Sequence, residues 1–130
     1  MRTTRVFTRL LPTAALGAVA ALALSTTPAA ANSGWWYSSL NKSKGYFTSY
    51  GDKTTACDIN TDGYKALVQI LTINDSLLLY RVVDNYNDGK CTSKDASYFN
   101  LQEGATYQTE VCVVKNGGRP LDCRAHRFTA

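Results

Sequence analysis

Stretches of alternating apolar and polar residues, broken by turn-forming clusters, run through most of the chain. Residues 64–73 place Ala66, Val68 and Ile70 on one face, and Asn74-Asp75-Ser76 interrupts the pattern. Residues 77–83 then read as a return strand. Val68, Ile70, Val82 and Val83 are β-branched, which together with the break argues against a helix across 64–83. Residues 106–114 form another strand, with Tyr107, Val111 and Val113 at apolar positions, and Asn116-Gly117-Gly118 is the strongest local turn signal. Residues 123–129 are expected to close the chain as a last strand. Upstream, residues 46–50 and 53–57 flank Gly51-Asp52 as a hairpin, and residues 98–101 read as a short strand before Glu103-Gly104. Residues 84–89 form a loop ending in Asp88-Gly89. Six or seven short strands at this spacing predict an all-β fold, a small disulfide-stapled β-sandwich, immunoglobulin-like in broad architecture. The Cys–Trp–Cys signature of true immunoglobulin domains is missing.

The first 31 residues do not follow this pattern. Arg2, Arg5 and Arg9 precede an apolar run over 14–24, and Ala29-Ala30-Ala31 offers small residues at both positions that a signal peptidase inspects. The run is too short to span a bilayer. Residues 1–31 are therefore expected to be a cleaved signal peptide and the product to be secreted. Residues 32–45 then read as an N-terminal aromatic extension and residues 46–130 as the sandwich. This division changes the charge. The whole chain carries 14 Lys plus Arg against 10 Asp plus Glu, a net +4. Three of the Arg leave with the signal and every acid stays, so the remainder is nearly neutral. Its charges are mixed in sign with no Lys/Arg run, which argues against nucleic acid as a partner. No further segment is apolar enough to suggest a membrane partner.

Cys57, Cys91, Cys112 and Cys123 all lie in the exported part. An even number in an oxidising compartment implies two disulfides, each worth roughly 2–4 kcal/mol. Three pairings are open. The 106–129 hairpin favours Cys112–Cys123, and hence Cys57–Cys91. A structural metal is a poor alternative, since there is no C-x-x-C pair and His126 is the lone histidine. Asp58-Ile-Asn60-Thr-Asp62-Gly63 matches the opening of a calcium loop, but the twelfth position is Gln69 in an expected strand rather than an acid. Asp58, Asn60 and Asp62 are thus weak calcium candidates, and a polar turn with Gly63 at positive φ explains them as well. His126, with Glu103, Glu110, Arg124 and Arg127, is the residue set a small secreted ribonuclease would use. Nothing in the spacing brings these residues together. No G-x-S-x-G, H-E-x-x-H or phosphate-cradling loop occurs, so the expectation is a protein that is not an enzyme and needs no cofactor.

The mature start is distinctive. Trp35, Trp36 and Tyr37 follow within six residues of the expected cleavage site, and the polar stretch 41–45 comes after them. They suit either a first strand facing the core or an exposed anchor that a partner buries. Tyr50-Gly-Asp, Cys57-Asp58, Thr61-Asp62-Gly63, Asp88-Gly-Lys-Cys91, Phe99-Asn-Leu-Gln-Glu-Gly104, Val111-Cys112-Val113, Asp122-Cys123 and Phe128-Thr-Ala130 together resemble a family of small secreted actinobacterial β-domains. Within it the chain looks most like the adaptor subunits of umbrella toxin particles. That resemblance implies a non-catalytic adaptor linking a large ALF-repeat polymorphic toxin to a lectin subunit, with Trp35, Trp36 and Tyr37 as the toxin-side anchor. An alternative is a secreted inhibitor of a protease or glycosidase, presenting loops 84–90 and 115–121 with Arg119-Pro120.

Overall fold

The computed structural model describes residues 33–130. The expected signal segment lies outside these residues. Eight strands are present: β1 (Trp36–Tyr37), β2 (Ser43–Thr48), β3 (Lys53–Asp58), β4 (Lys65–Thr72), β5 (Leu78–Asp84), β6 (Thr92–Lys94), β7 (Thr106–Val114) and β8 (Leu121–Thr129). No helix occurs among the described residues. The strands form two antiparallel four-stranded sheets, β1-β2-β3-β6 and β5-β4-β7-β8. The second order is that of the C′-C-F-G sheet in a variable-type immunoglobulin sandwich, and β2-β3-β6 follows A-B-E of the opposing sheet.

Period-two burial drives this arrangement. β2 alternates strictly between buried and half-buried positions, so Ser43, Gly45 and Phe47 face inward. β4, in the middle of its sheet, is buried from Ala66 to Leu71. Phe47 and Phe128 meet across the interface with ring centroids 4.3 Å apart. Val68, Ile70, Val82, Val111 and Leu101 fill the space around them. The sheets approach closely at Gly45. A Cβ there would lie 2.7 Å from Val68 Cγ2 and 3.1 Å from Val111 Cγ2. Only glycine fits.

The expected hairpins form. Ser43 to Thr48 pairs with Asp58 to Lys53, β4 pairs with β5 around residues 73–77, and Gly118 N–H closes the 115–118 turn on the Lys115 carbonyl with Gly117 at φ 67°. Both disulfides form as expected, Cys57–Cys91 and Cys112–Cys123, and neither joins one sheet to the other. Such bonds are typical of extracellular proteins.

Two expectations change. Residues 98–101 are not a strand. Tyr98 and Phe99 donate back to the Asp95 carbonyl, and Leu101 N–H donates to the buried Asp52 carboxylate at 2.8 Å. Three of the four backbone donors of residues 98–101 are thereby drawn off any ladder. Nor does a structural break fall between residues 45 and 46, because β2 spans that point and β1 pairs with it. Residues 33–45 belong to the sandwich.

Candidate functional site

The N-terminal aromatics occupy a sheet edge. Trp36 pairs with Gly45 and Tyr37 with Lys44. With no side chain on Gly45, Trp36 lies down into the rim of the core. It stacks on His126, with ring centroids 5.5 Å apart and planes within 14°, and contacts Phe128 at 5.7 Å. Strand alternation then turns Trp35 and Tyr37 to the outer face. Trp35 is 45% exposed, packs on Tyr46 at 5.4 Å and carries the Lys44 ammonium 4.2 Å above its ring. One residue of the three is thus a structural anchor, and two are presented outward.

Hydrogen bonds hold this segment at both ends. Ser33 exchanges bonds with Phe47, its amide donating to the Phe47 carbonyl and its hydroxyl oxygen accepting from the Phe47 amide at 2.7 Å. Fully buried Ser38 accepts from the Lys42 and Ser43 amides. Ser39 N–H donates to the Asp122 carbonyl, and its hydroxyl to the Cys123 carbonyl at 2.8 Å. The segment therefore clasps β8 of the opposite sheet. Nothing in the sequence pattern marks that serine clasp.

His126 lies beneath Trp36. Burial pulls its pKa below the ordinary histidine value, Arg124 pulls the same way, and the Tyr37 carbonyl beside the ring offsets this in part. The structure commits two other members of the ribonuclease-like set elsewhere. Arg124 donates to the Ser39 carbonyl, and Glu110 accepts from the amides of Gln69 and Gln108.

At one end of the sandwich three loops gather: residues 59–64 after β3, 85–91 after β5 and 115–120 after β7. This follows from register, because Lys65 pairs with Val114 and Ala66 with Asp84. In the variable-type arrangement the corresponding loops form the binding end. The calcium-like stretch lies here as a pair of side-chain-capped turns. Asp58 Oδ1 accepts from the Asn60 amide and Asp62 Oδ1 from the Tyr64 amide, with Gly63 at φ 78°. Asp62 Oδ2 is bound by Lys42 Nζ at 3.1 Å and by the Asn60 carboxamide. Partial burial raises the Asp62 pKa, but the Tyr64 amide and Lys42 outweigh it and hold the carboxyl below the usual range. The Asn60 side chain therefore turns an N–H toward Asp62. Among the described residues, the only group of three His, Cys, Asp or Glu ligand atoms within metal-binding proximity is Glu110, Cys112 and Cys123. Its two sulfurs are joined in a disulfide.

The sequence-inferred inhibitor loops, 84–90 and 115–121, thus come to the same end as residues 58–63. The Lys42 and Lys115 ammoniums both approach the Tyr64 ring, at 5.4 and 5.6 Å. Between the first two loops lies a groove of about 470 Å³, lined by residues that include Asp58, Tyr64, Asn85 and Tyr86. No protein-family description, curated protein or solved structure matches this chain.

Proposed function

We propose that the protein is a secreted, non-catalytic adaptor that binds a large ALF-repeat toxin through its aromatic edge strand and couples it to a lectin subunit, the role implied by its resemblance to umbrella toxin adaptors. The observation that carries the reading is the division of labour among Trp35, Trp36 and Tyr37. Trp36 is fixed on His126 and Phe128, so Trp35 and Tyr37 are held outward beside Lys44 and Tyr46 with little freedom left to lose. Rigid aromatic side chains at a sheet edge suit a partner that supplies an extended segment or an apolar groove.

The test follows from the same geometry. Removing residues 32–40 would strip the core of Trp36 and the β8 clasp of Ser39, so loss of binding by that truncation would say little. Trp35→Ala/Tyr37→Ala leaves both intact. The variant is expected to fold and secrete as the parent does, yet to fail to co-purify with a large repeat protein and a lectin from culture supernatant. Retention of both partners by the double variant would overturn the reading.

A further inference from the structure

The groove between residues 59–64 and 85–88 is open to solvent and large enough for a small ligand. Its volume of about 470 Å³ lies within the usual range of roughly 300–1,000 Å³. Its base is rigid. Cys57 and Cys91 bring the start of one loop to the end of the other. Between them Asp84 accepts from the Asp58 amide at 2.8 Å and from the Thr92 hydroxyl at 2.9 Å. Side-chain-capped turns at Asp58, Asp62 and Asp88 set the loop backbones. A site fixed before its ligand arrives loses little entropy on binding.

The lining selects the ligand class. Tyr86 is 72% exposed, so its ring is free to stack, whereas Tyr64 is a wall held by two ammoniums. Asn85 and Asn87 make no side-chain hydrogen bond to any described residue, leaving planar donor–acceptor pairs available. Asp58 is only 7% exposed yet contributes to the wall, and its Oδ2 accepts from no described residue. The lining carries one cation, Lys65, against two carboxylates, Asp58 and Asp88, so no cationic cluster is present for a phosphate or nucleotide. The neighbouring carboxylates that could complete a cation site around Asp58 and Asp88 are taken, Asp62 by Lys42 and Asp84 by its own donors. An uncharged ligand with a ring of hydroxyls and an apolar face fits these facts. Hydroxyls meet the carboxamides and the carboxylate, and the C–H face meets Tyr86.

We propose that this groove is a saccharide-binding site, with Tyr86 as the stacking platform and Asn85, Asn87 and Asp58 as the hydroxyl-reading groups. The site is separate from the Trp35–Tyr37 edge and stands whether or not that edge binds a toxin.

The experiment is a nitrogen-15 NMR titration of the mature, disulfide-bonded protein. The probes are glucose, galactose, mannose and N-acetylglucosamine, with disaccharides of each, at millimolar concentration. Calcium chloride and inorganic phosphate are run separately. At least one sugar is expected to shift the amides of residues 59–64 and 85–88 saturably, equally with and without EDTA. Tyr86→Ala and Asn85→Ala, both at exposed positions, are expected to weaken that sugar about tenfold or more, and Trp35→Ala to leave it unchanged. Absence of a response to every sugar overturns the proposal, as does sugar binding that is indifferent to Tyr86→Ala or lost in EDTA. Saturation of the same amides by calcium or phosphate alone also overturns it. So does a purified protein partner that broadens the loop signals where no sugar does.

Discussion

Asp58 shows how one side chain can serve two ends. Burial pushes its pKa above the ordinary 3.8, and the neighbouring Asp62 and Asp84 add to the rise while the Asn60 amide opposes it. With the folded value above the unfolded one, the folded state holds the proton longer as pH rises. Stability therefore falls through the window above 3.8, and the full cost is present at neutral pH. Asp58→Asn keeps an oxygen for the Asn60 amide and removes the charge. It is expected to raise the melting temperature at pH 7, with the gain shrinking toward zero as pH falls to 3.8. Thermal melts of both proteins across that range would check it, and a variant less stable at pH 7 would refute it. The same substitution is expected to weaken sugar binding. A residue that costs stability where it stands is understandable if its charge is used there.

At the scale of elements, β1 shows what a two-residue strand contributes when one residue reaches the core. Trp36→Ala removes a half-buried indole from Phe128 and His126 and is expected to cost about 2–3 kcal/mol, below the range for fully buried tryptophans. Trp35→Ala, on the outer face, is expected to change stability by less than about 0.5 kcal/mol. Urea denaturation of the two variants decides this, and equal costs would contradict the inward and outward assignment. Sequence pattern reaches some of this and not the rest. β4, β5 and β7 are legible because apolar residues recur along them and strong turn residues bound them, and β8 because it follows the Asn116-Gly117-Gly118 turn. β6 escapes notice because Thr92-Ser93-Lys94 has no apolar residue, and its place depends on pairing with residues 54–56. Residues 98–101 mislead in the opposite way. Tyr98, Phe99 and Leu101 are apolar enough for a strand, but a turn seeded by the Asp95 side chain on Ser97 uses the Tyr98 and Phe99 donors, and the Asp52 carboxylate takes that of Leu101. The stretches lining the groove could be singled out individually as turns and loops. Their convergence could not, since it follows from the β4 registers with β5 and β7.

The two disulfides differ in what they hold at the scale of the molecule. Cys112–Cys123 spans 11 residues and joins strands already paired as a hairpin. Cys57–Cys91 spans 34 residues, and the loop it closes contains all of β4 and β5, so the chain leaves one sheet, builds half of the other and returns. It also fixes Thr92 beside Asp84 and so seats β6, a three-residue edge strand with little hydrophobic purchase of its own. Loop-closure entropy alone gives about 4 kcal/mol for the longer loop and about 3 kcal/mol for the shorter. The difference should grow because unpinning β6 exposes the β3 edge. Each bond joins a buried cysteine to an exposed one, so paired Cys→Ala variants leave comparable packing defects. Cys57→Ala/Cys91→Ala is therefore expected to lower the unfolding free energy by at least about 1 kcal/mol more than Cys112→Ala/Cys123→Ala. It should also loosen the sugar groove, whereas the other pair should leave the groove intact. Denaturant melts and the same sugar titration would show both effects. A larger stability loss from the hairpin bond would mean that β8, with its serine clasp to the N-terminal segment, rather than the crossover, is the weak point of the sandwich.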